Sequence, residues 1–545
     1  MIEVVGTADR RVFGIETALG IAGLAHRRAA APASDGARAV VLAADGAEGP
    51  DANAPAVVLG LPAGPVATGP VTLDLDAPVW PAAVRATAAR FGVGVLALPR
   101  ATYATGAAPA GDVLATLRDA GGRERPAIVA RGAACRALVD LGAALADLLD
   151  ESYLPDPPAS PASALLRLLL PLYYRAPEGL RRVLQRRAYA RLATRLDATA
   201  SAYPVDASGW LAVELIVALV RRATGGLVRL APWPAPYAAA AALTHDVEPS
   251  AFAYGAGLDA LLAAIARSGH PATLGLVAGP AARRLDAGRR TALAAHEVLC
   301  HGLEHRGETL AEPVGEGLAR ARALLERTLG RPVRGFRSPR LDRSAALLRA
   351  LDASGFDHDS SFPDVDRENV ARFGGGVRLD VPFRPPIADG AGVRPSRCLE
   401  LPVSAPDCIQ PLFAGEEPAA LREAVRRKIE FVRATGGLYT GIVHAGVFGP
   451  ADAARRGEHL AFVAGELSRP DVWRTTPAAV ADWWTARERL TVRAGAGWVE
   501  VANDGRRAVE GARVIVEDAH GAVAHAVPRL EPGAVARIAA IGAAA

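Results

Sequence analysis

Residues 301–305 have the sequence HGLEH, in which two histidines four positions apart flank a glutamate. A short apolar run, EVLC, precedes them and is typical of a buried strand. Imidazole nitrogens bind zinc and related divalent metals, and side chains four apart on one helical turn point in the same direction. The spacing therefore predicts that His301 and His305 bind one metal ion. Two alternatives remain open: a pair of surface histidines, or an HxxEH metalloprotease site with Glu304 as general base.

Other polar clusters follow short apolar runs between about residues 236 and 488. The run AAAALT ends in HDVE, VRGF ends in RSPR, and LYTGIV ends in HAG, with GFDHDSS and CLELPVS between them. Helical stretches such as GLARARALLERTL separate the runs. Parallel β/α barrels carry their functional side chains at the carboxyl ends of the strands, so we expect these clusters to converge. The pattern predicts an α/β fold in which a distorted (β/α) barrel holds the site.

In this order, the motifs THDVE, HGLEH, FRSPR, LELPVS and GIVHAG resemble those of the NodB-type polysaccharide deacetylases, carbohydrate esterase family four. The resemblance does not extend to the segments on either side of the barrel. It implies a metal-dependent hydrolase that acts on carbon–nitrogen bonds other than peptide bonds. Such an enzyme would remove an N-acetyl or related acyl group from a sugar or polysaccharide intermediate and release acetate. The implied partners are an acetylated glycan or amino sugar and a divalent metal, zinc first, with cobalt, nickel, iron or manganese also acceptable.

The resemblance implies a metal site built from two of the motifs. His301 and His305 are expected to bind the ion, and Glu248 is expected to complete the ligand set. Asp246 matches the first acid of the family's acid-x-acid motif and is expected to be the general base. Residues two apart on a strand face the same side, so both acids can reach one site. Glutamate at position 248, where the family usually has aspartate, leaves this ligand assignment open.

The same resemblance implies three further catalytic roles. Arg337 in FRSPR is expected to hold Asp246 ionised and oriented. His444 in GIVHAG is expected to protonate the leaving amine as the general acid. Arg340 stands where the family usually has an aromatic residue, and its backbone N–H is expected to contribute to the oxyanion hole, a role that needs no particular side chain. Its side chain is expected to change the substrate groove, in the direction of an anionic sugar.

Three residues next to these motifs are expected to have structural roles. His245 should face the opposite side of its strand from Asp246 and pack there. Cys300 should point inward from the strand that precedes the pentapeptide. Asp359 in HDSS has two open interpretations, since it can orient a neighbouring side chain or cap the turn that follows.

Two other functions remain open at this point. The metalloprotease hypothesis requires a long helix around the pentapeptide, which Gly302 and Gly307 oppose, and it gives no role to HDVE, FRSPR or GIVHAG. A catalytically inactive barrel that binds glycans or scaffolds a complex would account for the unusual residues Glu248 and Arg340. A formyl or ureide amide is a further substrate that the same residues can hydrolyse.

Composition limits the class of protein. The chain has 545 residues, half of them apolar, which predicts more than one globular domain. Its net charge is only +4, Lys428 is its single lysine, and no dense basic block with interleaved aromatics occurs, so we expect no nucleic-acid partner. The four cysteines form no CxxC pair, and the beginning of the chain has no signal-peptide pattern. These features predict a cytoplasmic protein with no transmembrane segment.

The chain divides into four predicted sections. Residues 1–155 are predicted to be an α/β domain of unknown role, without the GxGxxG turn of a nucleotide cofactor site. Residues 156–235 are predicted to be a helical connector that packs on a neighbouring domain, with peripheral membrane contact left open. Residues 236–488 are the predicted barrel, and residues 489–545 are predicted to be a small, β-sandwich-like module. The oligomeric state is not predicted.

Overall fold

A computed structural model gives the architecture of the chain. It describes residues 2–30, 39–43, 45, 56–150, single residues between 172 and 187, 203–305, 314–365, 376–390, 392–404, 417–444, 450–495, 497–518 and 520–539. Residues 156–171 and 188–202 of the predicted connector, and Cys408, therefore lie outside the described residues. Among the helices that are described, none is long and apolar enough to cross a lipid bilayer.

The N-terminal segment is a mixed sheet packed against helices. Its described strands are β1 (Ile2–Val5), β2 (His26–Ala29), β3 (Ala39–Leu42), β4 (Ala56–Val58), β5 (Val66–Asp74), β6 (Val95–Ala104), β7 (Asp112–Asp119), β8 (Glu124–Arg131) and β9 (Ala134–Ala137). Its helices are α1 (Arg10–Ile21), α2 (Ala82–Arg90) and α3 (Leu141–Leu149). The strand order is β2-β1-β3-β4-β9-β8-β7-β5-β6, with β1 to β4 parallel and β5 to β8 joined in antiparallel pairs.

Helices α1 and α3 approach each other at two glycines. A Cβ atom on Gly14 would lie 1.9 Å from the carbonyl oxygen of Gly142, and one on Gly142 would lie 2.4 Å from that of Arg11. Both glycines are therefore required by the close helix contact. The helix α4 (Ser208–Thr224) packs against this pair.

The following strand, β10 (Leu227–Leu230), belongs to a sheet of the C-terminal module, because it pairs in antiparallel fashion with residues 514–517.

The central sheet of the described chain has eight parallel strands, of which seven form one continuous hydrogen-bonded order. These seven are β11 (Ala239–Val247), β12 (Ala272–Leu276), β13 (Glu297–Cys300), β14 (Gly335–Phe336), β15 (His358–Asp359), β18 (Leu399–Glu400) and β19 (Leu438–Ile442), in the order β18-β15-β14-β13-β12-β11-β19. A hairpin of β16 (Pro386–Asp389) and β17 (Gly392–Pro395) precedes β18, and β20 (Val472–Thr475) pairs with residues 239–242. Helices between the strands are α5 (Ala256–Ser268), α6 (Ala278–Arg284), α7 (Ala287–Leu293), α8 (Val314–Leu329), α9 (Ala345–Ser354), α10 (Pro418–Thr435), α11 (Pro450–Leu467) and α12 (Pro477–Arg487).

The central sheet curls because its two edges are tied together by Ser404. The backbone N–H of Ser404, after β18, donates to the carbonyl of Thr440 on β19 at 2.9 Å. Its hydroxyl donates to the carbonyl of Leu438 at 2.8 Å and accepts from the backbone N–H of Thr440 at 3.1 Å. The predicted α/β class is confirmed, and the sheet forms a curled half-barrel.

The single lysine of the chain reinforces this closure. Lys428 of α10 is buried and forms an ion pair with Asp364, in the loop after β15. Despite the burial, which opposes it, the negative charges of Asp364 and Asp380 raise the pKa of Lys428. The carbonyl of Asp380 accepts from the N–H of Leu438 at 2.5 Å, where β19 begins. A buried cation thus holds a helix and a loop around the strand that leads to His444.

The C-terminal segment is made of short antiparallel strands. β21 (Leu490–Gly495), β22 (Trp498–Asn503) and β25 (Val535–Ala539) form one sheet, and β10, β23 (Arg513–Asp518) and β24 (Gly521–Ala526) form another. Buried Arg487 at the end of α12 donates to the carbonyls of Gly20 and Ala231 at 3.1 and 2.9 Å. These bonds join the barrel segment to α1 and to the chain before β11.

We expect Gly14→Ala to lower the thermal unfolding midpoint, because the added methyl group collides with a backbone oxygen that cannot move without separating α1 from α3. Overpacking of this kind costs about 1–3 kcal/mol. Gly20→Ala is the matched control in the same helix, since the nearest atom to its Cβ would be 3.9 Å away. It should leave the midpoint unchanged or raise it, as alanine favours helix more than glycine does. Equal midpoints for the two variants would show that the helices do not meet at these glycines.

Candidate active site

The polar clusters lie together at the carboxyl ends of the parallel strands. Asp246 lies near the end of β11 and Glu248 just beyond it, His301 directly follows β13, and Arg337 directly follows β14. His444 comes two residues after β19, where Arg456 of α11 donates to its carbonyl at 2.7 Å. Because neighbouring parallel strands end at the same edge of a sheet, residues nearly 200 positions apart are brought into one pocket.

Residues 301–305 do not form the helical turn on which the spacing argument for His301 and His305 relied. The pentapeptide is a bend, in which Gly302 and His305 have left-handed backbone angles, with φ of 76° and 59°. This bend brings the two imidazole rings to a centroid separation of 5.0 Å. Glu304 pairs with Arg283 of α6 at 2.9 Å and is partly exposed. The geometry does not favour the metalloprotease hypothesis, because the required helix is absent from these residues and the glutamate binds a surface arginine.

Two buried carboxylates connect the histidines and the arginine. Nε2 of His301 is 3.9 Å from Oδ2 of Asp246, and Nη1 of Arg337 is 3.6 Å from Oδ1 of the same carboxylate. Nε2 of His305 is 3.6 Å from Oε2 of Glu248, and Nε2 of His444 is 3.4 Å from its Oε1. The structure therefore brings together all six side chains that the sequence motifs pick out, while their chemical roles stay predictions.

Arg337 is completely buried and is held by two hydroxyl groups. Its Nη1 donates to Oγ1 of Thr244 at 2.9 Å, and its Nη2 donates to Oγ of Ser360 at 2.7 Å. Thr244 in turn donates to the carbonyl of Gly441 at 2.7 Å, and Ser360 donates to that of Leu401 at 2.8 Å. The guanidinium is thus fixed from both sides with one edge toward Asp246. Sequence reasoning missed Thr244 and Ser360, although both lie inside the quoted motifs.

The electrostatics of the pocket favour ionised acids. Burial raises the pKa of Asp246, but the neighbouring His301 and Arg337 outweigh it, and the net effect is a pKa below the ordinary value; of the two neighbours, Arg337 is the permanent cation. Burial likewise opposes ionisation of Glu248, and His305 and His444 hold its pKa well below its usual range. The pKa of His301 is lowered, chiefly by burial. The pocket therefore combines two carboxylates with an imidazole whose charged form is disfavoured.

The donor atoms suit a divalent metal. In the described part of the chain, no three His, Cys, Asp or Glu side chains are arranged as a finished metal site. One pair of proposed ligands nevertheless has a separation that suits a shared ion: Nε2 of His305 is 3.6 Å from Oε2 of Glu248, and two ligands at bonds of about 2.1 Å and a tetrahedral angle lie roughly 3.4 Å apart. Buried Nε2 of His301 and Oδ1 of Asp246 have no hydrogen-bond partner among the described residues.

The orientation of the His301 ring supports the same conclusion. Its Nδ1 lies 2.9 Å from the carbonyl of Arg337, and a carbonyl can only accept, so Nδ1 carries the proton. In the neutral ring, Nε2 then has a free lone pair directed at the carboxylates. A backbone carbonyl on the second nitrogen is the usual device that fixes the tautomer of a metal-binding histidine.

Space for Asp246 depends on a glycine that sequence reasoning also missed. Gly275 of β12 is the register partner of Asp246. A Cβ on Gly275 would lie 2.5 Å from Oδ1 of Asp246 and 3.6 Å from Cβ of His301. Any larger residue at this position would displace the carboxylate. The signal was a single glycine inside the apolar run ATLGL, and its meaning depends on strand register, which the sequence does not display.

The remaining predicted residues lie as follows. His245 is buried and its Nδ1 donates to the carbonyl of Val443 at 3.1 Å, while burial lowers its pKa to about 4, so it packs as expected. Cys300 is buried in the hydrophobic core. Arg340 has a left-handed φ of 60° within the turn Pro339–Leu341, and its guanidinium is 3.7 Å from Asp342. Its part in an oxyanion hole stays a prediction.

Comparisons with known proteins give structural similarity without a sequence match. No protein-family model matches the chain, and no curated protein matches it. A protein from Mycobacterium smegmatis assigned as a polysaccharide deacetylase is 24% identical over 47% of this chain and 93% of its own, with a TM-score of 0.37. Puue allantoinase is 17% identical over 47% and 93%, with a TM-score of 0.38. A family 4 carbohydrate esterase from Streptomyces lividans, in complex with acetate, is 16% identical over 44% and 92%, with a TM-score of 0.28.

The chain resembles solved polysaccharide deacetylases. The matched part is a little under half of the chain.

We expect the wild-type chain to bind one zinc ion, and the variant with both His301→Ala and His305→Ala to lose that binding, because two of the three proposed ligands are removed. Isothermal titration with ZnCl₂, together with the metal content of the purified protein, measures this. His296→Ala and His520→Ala are controls, since neither histidine belongs to the cluster. If the double variant bound zinc as tightly as wild type, the ion would have to lie elsewhere.

Proposed function

We propose that the protein is a metal-dependent hydrolase that removes an acetyl group from the nitrogen of an amino sugar in a glycan or glycan intermediate. The observation that carries this proposal is the arrangement of Asp246 and His444 around Glu248, His301 and His305. A carboxylate kept ionised by a buried arginine and a partly exposed imidazole stand within one pocket. Amide hydrolysis needs this combination of a base for water and an acid for the departing amine.

In the proposed reaction, the carboxylate of Asp246 takes a proton from a water molecule as that water attacks the acyl carbon. The backbone N–H of Arg340 stabilises the negative oxygen that develops. His444 then donates a proton to the amide nitrogen, the C–N bond breaks, and acetate and the free amine leave. Glu248, His301 and His305 would hold a divalent metal, which supplies a Lewis acid that polarises the acyl oxygen and lowers the pKa of water.

The substrate class rests on the order of the five motifs, which resembles that of polysaccharide deacetylases. The surroundings of the pocket are compatible with a bulky substrate, because His444 and Arg340 are both partly exposed. A panel of N-acetylated and N-formylated amino sugars, their oligomers, and ureides tests the proposal when acetate, formate and amine release are measured. No release from any of them by the metal-loaded protein would leave a glycan-binding barrel as the better description.

We expect Asp246→Asn to abolish turnover while zinc stays bound, because the base is lost and the three proposed ligands are intact. The loss should reach about 10²–10⁴-fold in kcat/KM. Acetate release and zinc content are measured on the same sample. Asp259→Asn is the control, since this exposed carboxylate pairs with Arg289 far from the pocket. Near-normal activity in the Asp246 variant would refute the base assignment.

We expect Arg337→Met to move the acidic limb of the kcat/KM profile to higher pH. Arg337 holds the pKa of Asp246 down, so without it the pKa rises and more of the base is protonated at low pH. An opposite charge at this distance shifts a carboxyl pKa by about 1–3 units. Arg337→Lys, which keeps the charge, should move the limb less. An acidic limb at the wild-type position in the methionine variant would show that Arg337 does not act on the base.

A further inference from the structure

Behind Arg337 lie two carboxyl groups that the proposed reaction does not use. Asp359 and Glu400 end the neighbouring strands β15 and β18 and are direct register partners. Both side chains are buried, with 3% and 0% of the residue surface exposed. Residues in register on adjacent strands project to the same side, so the two carboxyl groups lie side by side. Two carboxylates in contact within a protein interior cannot both keep their charge.

The hydrogen bonds around the pair leave room for one proton. Oε1 of Glu400 accepts from the backbone N–H groups of Ser361 and Phe362 at 3.1 and 3.0 Å. Oδ1 of Asp359 accepts from the hydroxyl of Ser361 at 2.5 Å. The other two oxygens, Oε2 of Glu400 and Oδ2 of Asp359, are buried and have no donor among the described residues. A proton between these two oxygens satisfies both at once.

The charges that face the pair agree with this placement. Burial raises the pKa of Glu400 well above its ordinary value, and the neighbouring charge of Asp359 raises it further. Burial also raises the pKa of Asp359, to about 6, although its contacts with Ser361 and Glu400 oppose the rise. Arg337 is the described cation that acts on both carboxyls, and the buried thiol of Cys398 is a further titratable neighbour. The proton therefore belongs on Glu400, and the negative charge belongs on Asp359.

We propose that Asp359 and Glu400 share one proton and act together as a positioning pair for the segment from Arg337 to Arg340. This proposal rests on the proposed function, because that segment carries the arginine that holds the base and the backbone donor of the oxyanion hole. Neither carboxyl group has a part in the proposed reaction. The pair acts through the two serines that follow Asp359.

The first connection runs through Ser361 to the oxyanion segment. Because the Ser361 hydroxyl gives its proton to Asp359, its oxygen is left to accept, and it accepts from the backbone N–H of Ser338 at 2.9 Å. Ser338 leads into Pro339 and the left-handed Arg340. An ionised Asp359 therefore sets the direction of the Ser361 hydroxyl and, through it, the position of the turn.

The second connection runs through Ser360 to the guanidinium. The Ser360 hydroxyl accepts from Nη2 of Arg337 and donates to the carbonyl of Leu401, the residue after Glu400. Ser360 is also fixed by its backbone N–H, which donates to the carbonyl of Phe336 at 3.1 Å. A displacement of the strand ends that carry Asp359 and Glu400 would therefore move Ser360. Its hydroxyl group is one of the two that keep Arg337 directed at Asp246.

Glu400→Gln is the decisive substitution. A glutamine has the shape of a protonated glutamate: its amide oxygen can accept from Ser361 and Phe362, and its NH₂ can donate to Asp359. If one proton is shared, the amide replaces the protonated acid without loss. If both groups were ionised, the same substitution would remove a negative charge from the interior and change the electrostatic environment of Arg337.

The shared proton is tested first by infrared difference spectroscopy, which needs no activity and so separates this proposal from the proposed function. In D₂O at neutral pH, the wild-type spectrum minus that of Glu400→Gln should contain the carbonyl stretch of a protonated carboxylic acid. The same difference taken with Asp357→Asn should not contain it, because Asp357 is a half-exposed carboxylate two residues from Asp359 that pairs with Arg334. A Glu400→Gln difference without this band would overturn the shared proton.

Positioning is tested by hydrogen exchange and by kinetics. Asp359→Ala should speed amide exchange at Ser338 and lower kcat/KM by about 10²-fold, the typical cost of a small misplacement of catalytic groups. Glu400→Ala should also speed amide exchange at Ser338 and lower kcat/KM. Glu400→Gln should keep kcat/KM within about twofold of wild type, since it preserves the hydrogen bond to Asp359 that positions the segment from Arg337 to Arg340. Wild-type exchange at Ser338 in Asp359→Ala would overturn the positioning role, as would a loss in Glu400→Gln as large as in Glu400→Ala. If no substrate is found, the exchange measurement alone decides.

Discussion

The pocket depends on one buried cation. The guanidinium of Arg337 is removed from water, so it must be compensated by neighbouring groups, and each of those groups is thereby tied to it. Thr244 and Ser360 fix two of its nitrogens, and Asp246 faces it at 3.6 Å. Its backbone takes part as well, because its carbonyl accepts from the ring of His301. A single residue therefore positions both the proposed base and one proposed metal ligand.

Arg337 can hold this position only because the sheet around it curls. An open, parallel sheet would leave β18 and β19 far apart, with Ser360 one strand from the first edge and His444 at the other. The hydrogen bonds of Ser404 bring the edges together, and the buried Lys428 anchors the helix and loop beside β19. The curvature converts a row of strand ends into a pocket, which is why the polar residues converge.

Much of this arrangement could be predicted from the order of motifs in the sequence, because parallel strands end at one edge and carry their polar residues there. The convergence of Asp246 with His444 follows from that rule alone. The backbone of residues 301–305 could not be predicted, since a left-handed His305 breaks the helical spacing that the histidines suggest. The partners of Arg337 and the pairing of Asp359 with Glu400 depend on strand register, which local sequence does not encode.

The balance of buried charge links Asp246 and Glu248 in the pocket to the pair of Asp359 and Glu400 behind Arg337. Four carboxyl groups, those of Asp246, Glu248, Asp359 and Glu400, are buried in this part of the protein, and Arg337 faces Asp246 at 3.6 Å and acts on Asp359 and Glu400 through its charge. If all four were ionised, the interior would carry a large negative excess, and desolvation makes this prohibitive. The proton that we propose to be shared by Asp359 and Glu400 removes one negative charge, and the guanidinium of Arg337 offsets another. The negative charge that is left lies on Asp246 and Glu248, beside the imidazoles of His301, His305 and His444, where the proposed divalent metal would be held.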